Sequence, residues 1–69
     1  MDAIQTQLLS ELREIIDRYV DDPAVRQSLN MEVAPSKVKG VLAQIDAHQS
    51  QPFSAADADL VKDIYFHFC

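Results

Sequence analysis

The chain has 69 residues, 48% of them apolar and 25% charged, with 1 glycine and 3 prolines. That is too apolar for a disordered chain and too poor in turn formers for a many-stranded one, which leaves a compact all-α fold. Eleven acidic against six basic side chains give a formal charge of −5, which works against general attraction to nucleic acid or anionic lipid.

A chain this short buries only about 60% of its unfolded surface, so a single small helical domain over residues 1–69 is expected, with self-association as one way to supplement a thin core. The opening "MDAIQTQLLSELREII" lacks the basic head and unbroken apolar run of a signal peptide, and no stretch reaches the roughly 18 apolar residues of a membrane span. The expected location is cytoplasmic, without membrane contact. The one cysteine, Cys69, cannot form an internal bridge and suits a reducing compartment.

The first predicted helix runs from Asp2 to Val20. Ile4, Leu8, Leu12, Ile15, Ile16 and Tyr19 recur at spacings of three and four on one stripe, which Leu9 and Val20 widen. On the outer face Glu14 with Arg18 and Arg13 with Asp17 are candidate i,i+4 ion pairs. Pro23 ends this helix, and Asp22 makes a good N-cap for a short second helix to about Leu29 that buries Val25 and Leu29. In "NMEVAP" Met31 and Val33 serve as apolar anchors for an irregular connection.

"SKVKGVLAQIDAHQ" restores the helical period through Val38, Val41, Leu42 and Ile45, with Ser36 at its start. Gly40 lies one turn inside it. It is either tolerated on the surface or needed for close approach of another backbone. The last helix starts at "FSAAD", with Ser54 as N-cap, Asp57 as a short substitute for the glutamate of a capping box, and Phe53 facing Ala58 as a staple. Its buried stripe is Ala58, Val61, Ile64, Tyr65 and Phe68. The expected architecture is thus a compact bundle of three longer helices and one short one.

Three of the five aromatic residues fall in "YFHF" near the end of this last helix. At about 100° per residue Phe66 points about 200° from Ile64, so Ile64, Tyr65, Phe66 and Phe68 span more circumference than one helix face buries. Aromatic side chains combine large contact area with little entropy to lose, so the excess reads as a contact surface for a protein partner or for a second copy in a homodimer. Tyr65, Phe66 and Phe68 are its candidate anchors, and Asp59 and Asp63 its charged rim. A short strand with Ile64, Phe66 and Phe68 on one side is the alternative local reading.

The candidates for chemistry are sparse. His67 and Cys69 are two apart, and positions i and i+2 of a helix do not face each other. Asp59, Asp63 and His67 share a helix face but fall short of a recognisable zinc set, and no cofactor motif is present. "PSKVKG" offers Ser36, Lys37 and Lys39 as candidate phosphate contacts at a helix start, loosely like a helix-turn-helix. Arg and Asn base readers are missing from that helix, and Asp46 opposes the lysines. The expectation is a non-enzymatic adaptor or regulatory protein, with neither metal nor cofactor, that binds a macromolecular partner through its aromatic last helix. The alternative is a compact DNA-binding regulator using the helix around Lys37 and Lys39.

Overall fold

The computed structural model describes residues 2–69. The chain is all-α: α1 spans Ala3–Tyr19, α2 Pro23–Glu32, α3 Val38–His48 and α4 Ala55–Phe68, with a 3₁₀ turn at Pro35–Lys37 ahead of α3. α1 runs along the core and meets each of the other three helices, α4 most extensively. The Cα radius of gyration is 11.0 Å, matching the roughly 11 Å expected of a compact chain this long. The extents are 31 × 26 × 16 Å. With helices about 10–12 Å across, the thinnest dimension holds no more than two layers.

The core forms where the apolar stripes converge. Leu12, Ile15 and Ile16 of α1, its C-cap Val20, Val38, Val41 and Ile45 of α3, and Ile64 of α4 are fully enclosed. Leu29 and Val33 close one flank, while Val25, Phe53, Leu60, Val61 and Phe68 pack partly buried around the rim. Leu60 joins Ile64 and Phe68 at a spacing of four, so the inward stripe of α4 is centred one position away from the one expected through Tyr65.

Local chemistry sets the helix ends. Asp2 caps α1 by accepting from the Gln5 N–H at 2.7 Å. The Asp22 carboxylate accepts from the amides of Ala24 and Val25, with Pro23 at the first position of α2. At the far end of α1, Val20 pairs with Gln49 in an isolated antiparallel bridge, and the Ser50 N–H donates to the Tyr19 carbonyl at 2.8 Å. Arg26 Nε donates to the Val20 carbonyl at 2.8 Å, so a group of α2 finishes α1.

Several sequence expectations are revised. α2 continues past Leu29 to Glu32, where Asn30 Nδ2 donates to Asp17 Oδ1 at 3.2 Å and to the Arg26 carbonyl at 3.1 Å. That continuation sets Met31 about 200° from the inward Leu29, so Met31 is exposed and only Val33 anchors the connection. Ile4, in the first turn of α1, projects beyond the core and is exposed. Neither i,i+4 pair on α1 forms: Arg18 reaches to Asp57 on α4, and Asp17 is taken up by Asn30. Gly40 is exposed, has no positive φ, and an added Cβ would meet nothing within 4 Å, so no backbone of this chain requires the glycine.

Candidate functional site

α4 presents two different surfaces because its residues divide around the helix axis. Ile64 is fully enclosed, and Phe68, one turn on, is partly buried against the core. Phe66 is 83% exposed and Tyr65 47% exposed. The tail is helical through Phe68, which settles the local question against a strand. Asp59, Lys62 and Asp63 are exposed on the same helix. The His67 ring meets the Phe66 ring edge-on at a centroid distance of 5.7 Å, so the outermost aromatic leans on its neighbour and not on another helix.

Beside Tyr65 a groove of about 310 Å³ runs between α3 and α4. Leu42, Phe53, Val61 and Tyr65 form its apolar walls, and Lys39 and Asp46 contribute the charged edges. A second pocket of about 420 Å³ lies between α2 and α3, where Val25 and Leu29 are accompanied by Ser28, Glu32, Gln44 and His48. Its lining mixes apolar and polar groups, and no Phe or Tyr takes part.

The densest polar network among the described residues belongs to the junction that fixes α4 on α1. Arg18 Nη2 donates to Asp57 Oδ1 at 2.8 Å and Arg18 Nε to Asp57 Oδ2 at 3.3 Å. The Tyr19 hydroxyl donates to Asp57 Oδ2 at 2.7 Å and accepts from the Ser54 N–H at 3.0 Å. Ser54 Oγ accepts from the Asp57 N–H at 3.1 Å, as an N-cap does. In an ordinary capping box a glutamate would reach back to the cap residue's own amide. The Tyr19 hydroxyl occupies that place and relays the bond to the shorter Asp57. Phe53 turns onto the Tyr19 ring, centroids 4.7 Å apart and nearly perpendicular, so the residue expected as a staple for Ala58 packs against α1.

This network holds Asp57 below the usual aspartate range, chiefly through the Tyr19 hydrogen bond and next through that from Arg18. The charge is thereby committed to structure: it joins two helices and lines neither of the two pockets described above. No buried side-chain nitrogen or oxygen among the described residues lacks a partner. Among the same residues no group of three or more His, Cys, Asp or Glu is placed to hold a metal ion.

The remaining candidates are dispersed. Ser36 sits inside the 3₁₀ turn and caps nothing, because α3 begins only at Val38. Ser36, Lys37 and Lys39 are all exposed, and Lys39 borders the α3/α4 groove. Cys69 is an exposed free thiol whose N–H donates to the Tyr65 carbonyl. Sequence reasoning missed the Tyr19–Asp57–Arg18 junction and the groove. A signal for the first was available, since a tyrosine on a core stripe needs a hydrogen-bond partner for its hydroxyl when buried. None of the described helices is long and apolar enough to cross a membrane. No family model matches the chain, and no curated protein or solved structure is significantly similar to it.

Proposed function

We propose that this chain is a non-enzymatic adaptor or regulatory module that binds another protein through the outer side of α4. The observation that carries the reading is the 83% exposure of Phe66 next to a half-exposed Tyr65, on a helix whose opposite side is sealed into the core. Large aromatic side chains in such a setting act as anchors of protein contacts, while the exposed Asp59 and Asp63 orient a partner at the rim. Phe68 has less to offer a partner, being already packed against the core. The non-enzymatic part of the proposal is supported by the use of the polar groups: the dense cluster at Tyr19, Ser54 and Asp57 is spent on tying helices together.

Contact with nucleic acid through Ser36, Lys37 and Lys39 is less well supported. Those side chains are exposed, but Ser36 opens no helix and the chain as a whole carries −5.

The test compares two doubly substituted chains as baits for cellular partners. Tyr65→Ser with Phe66→Ser removes the α4 anchors, and Ile4→Ser with Met31→Ser removes the other two large exposed apolar side chains among the described residues. The proposal requires that the first lose the partners captured by the wild type and the second keep them, both with unchanged helical circular dichroism. Equal loss in both would show general stickiness and remove the basis for a site on α4.

A further inference from the structure

The pocket of about 420 Å³ between α2 and α3 is of small-molecule size and takes no part in the α4 surface. Its lining runs from Ala24 to Glu32, about 12 Å along the axis of α2. The half-buried Val25 and the buried Leu29, one turn apart, give it an apolar floor. Ser28 and Glu32 of α2 and Gln44 and His48 of α3 stand around that floor, each pair at a spacing of four and so on one face of its helix.

The polar groups of α2 divide between two sides of the helix. Arg26 and Asn30 tie it to α1, through the Val20 carbonyl and the Asp17 carboxylate. Ser28 and Glu32 line the pocket on the α3 side. Among the described residues none of Ser28, Glu32, Gln44 and His48 makes a side-chain hydrogen bond, and Glu32 and His48 form no ion pair. A hydroxyl, a carboxylate, an amide and an imidazole thus surround an apolar floor with their bonding capacity unspent, which is the make-up of a small-molecule site.

The fixed charge of the pocket has one sign. Glu32 is its one carboxylate, and no lysine or arginine lines it. Glu32 is also the last residue of α2, where the unpaired carbonyls carry partial negative charge, and no basic residue lies in that turn to offset the two. Carboxylate and helix end therefore add, and a cation placed there gains from both. An anion would be opposed by them and by the −5 of the whole chain. Among the described residues no three ligating side chains converge on a metal ion, so the cation that fits is an organic one whose apolar body covers Val25 and Leu29.

We propose that the α2/α3 pocket binds a small organic cation, with an ammonium group at Glu32 and the end of α2 and an elongated apolar body lying along Val25 and Leu29. Ser28, Gln44 and His48 serve the polar substituents of that body. The site stands apart from the reading of α4 as a protein-binding surface, and neither depends on the other.

The probes are hexylammonium, hexanol and hexanoate, which share one alkyl body and differ in charge. Each is titrated at matched ionic strength into the isotope-labelled full chain, and amide chemical shifts report both place and affinity. Hexylammonium should give saturable shifts in α2 and the last turns of α3, and should bind at least roughly five-fold more tightly than hexanoate, with hexanol between them. Glu32→Gln, at an exposed helix end, should keep the fold and weaken hexylammonium about two- to five-fold, to the affinity of hexanol, as expected for a solvent-accessible ion pair. Asp46→Asn removes a carboxylate from the α3/α4 groove and should leave hexylammonium binding unchanged, which tells a local charge from the general field of the chain.

Hexanoate that binds as tightly as hexylammonium, or a Glu32→Gln chain that binds hexylammonium as the wild type does, overturns the inference. So does an Asp46→Asn chain that loses as much as Glu32→Gln. Shifts that gather at the α3/α4 groove, or a hexylammonium titration with no saturable shift in α2 and α3, overturn it as well.

Discussion

Tyr19→Phe takes one oxygen from the α1–α4 junction and leaves everything else in place. The ring keeps its perpendicular contact with Phe53, and the Tyr19 carbonyl keeps the Ser50 amide. Two hydrogen bonds disappear: the hydroxyl no longer donates to Asp57 or accepts from the Ser54 N–H. At about 0.5–1.5 kcal/mol net for each bond, the loss is about 1–3 kcal/mol. Ser54 is exposed and the Asp57 side chain is 15% exposed, so water replaces part of what is removed and the expected cost settles at about 1–2 kcal/mol. Against a total stability of about 3–10 kcal/mol for this length, the midpoint of thermal unfolding should fall by about 4–8 °C per kcal/mol lost.

Urea unfolding should give the same loss with an unchanged slope, because the folded surface is not altered. A second readout isolates the cause. Asp57 titrates below the usual aspartate value in the folded chain, so its contribution to stability is fully present above the ordinary aspartate pKa of about 4 and is lost as pH falls through and below that value. In Tyr19→Phe the ¹³C carboxyl titration of Asp57 should move back up towards about 4, and the acid limb of the stability profile should flatten. A variant as stable as the wild type, with Asp57 titrating where it did before, would refute the relay and leave Arg18 as the sole support of the carboxylate.

The two faces of α4 should respond oppositely to truncation: Ile64→Ala, at a fully enclosed position, is expected to cost about 2–5 kcal/mol by urea titration, whereas Phe66→Ala stays within about 0.5 kcal/mol. Asp22→Ala removes the acceptor of the Ala24 and Val25 amides and should cost about 1 kcal/mol, read as a lower unfolding midpoint and earlier amide exchange in α2. Gly40→Ala should stabilise by about 0.5–1 kcal/mol, since the position is helical, has no positive φ and leaves a Cβ free space. A loss of stability there would mean that α3 is placed differently in solution.

What could be read from the chain in advance was what depends on nearest neighbours along it. The stripe of α1 from Leu8 to Val20 follows from period alone, and Asp22 and Ser54 announce their helices through side-chain acceptors two or three residues from the amides they serve. Phe66 pointing outward was legible for the same reason, once Ile64 was placed inward. Contacts between distant segments were not legible. Glu14 was a reasonable local partner for Arg18, yet Asp57, 39 residues away, offers two acceptor oxygens already braced by Tyr19, and a fork of guanidinium donors gains more from that than from a mobile glutamate. Met31 was misplaced because the end of α2 is set by Asn30 reaching Asp17, a tertiary bond that residue-by-residue propensity does not register. The groove had no signature either, since Lys39, Leu42, Phe53 and Tyr65 converge only when α3 and α4 pack together.

The exposed aromatics follow from the shape of the fold. At 16 Å across its narrow direction the chain provides two helical layers, and α1, which takes the inner side of α4, leaves no element to cover the outer side. Shortening Phe66 would cost the fold almost nothing, yet burying a phenylalanine is worth about 1.5–3 kcal/mol, a substantial fraction of the stability available to a chain this small. That stabilisation is not recovered by folding because Ile64 and Phe68 have already taken the inward positions of the last two turns. On the proposed reading it is therefore available to association, with Asp59 and Asp63 beside Phe66 favouring a neutral or basic surface over an acidic one. Reversing the rim charge with Asp59→Lys and Asp63→Lys, while leaving both aromatics in place, should abolish capture of the partners that depend on Tyr65 and Phe66 without changing the fold. If capture is unchanged, apolar contact alone selects the partner.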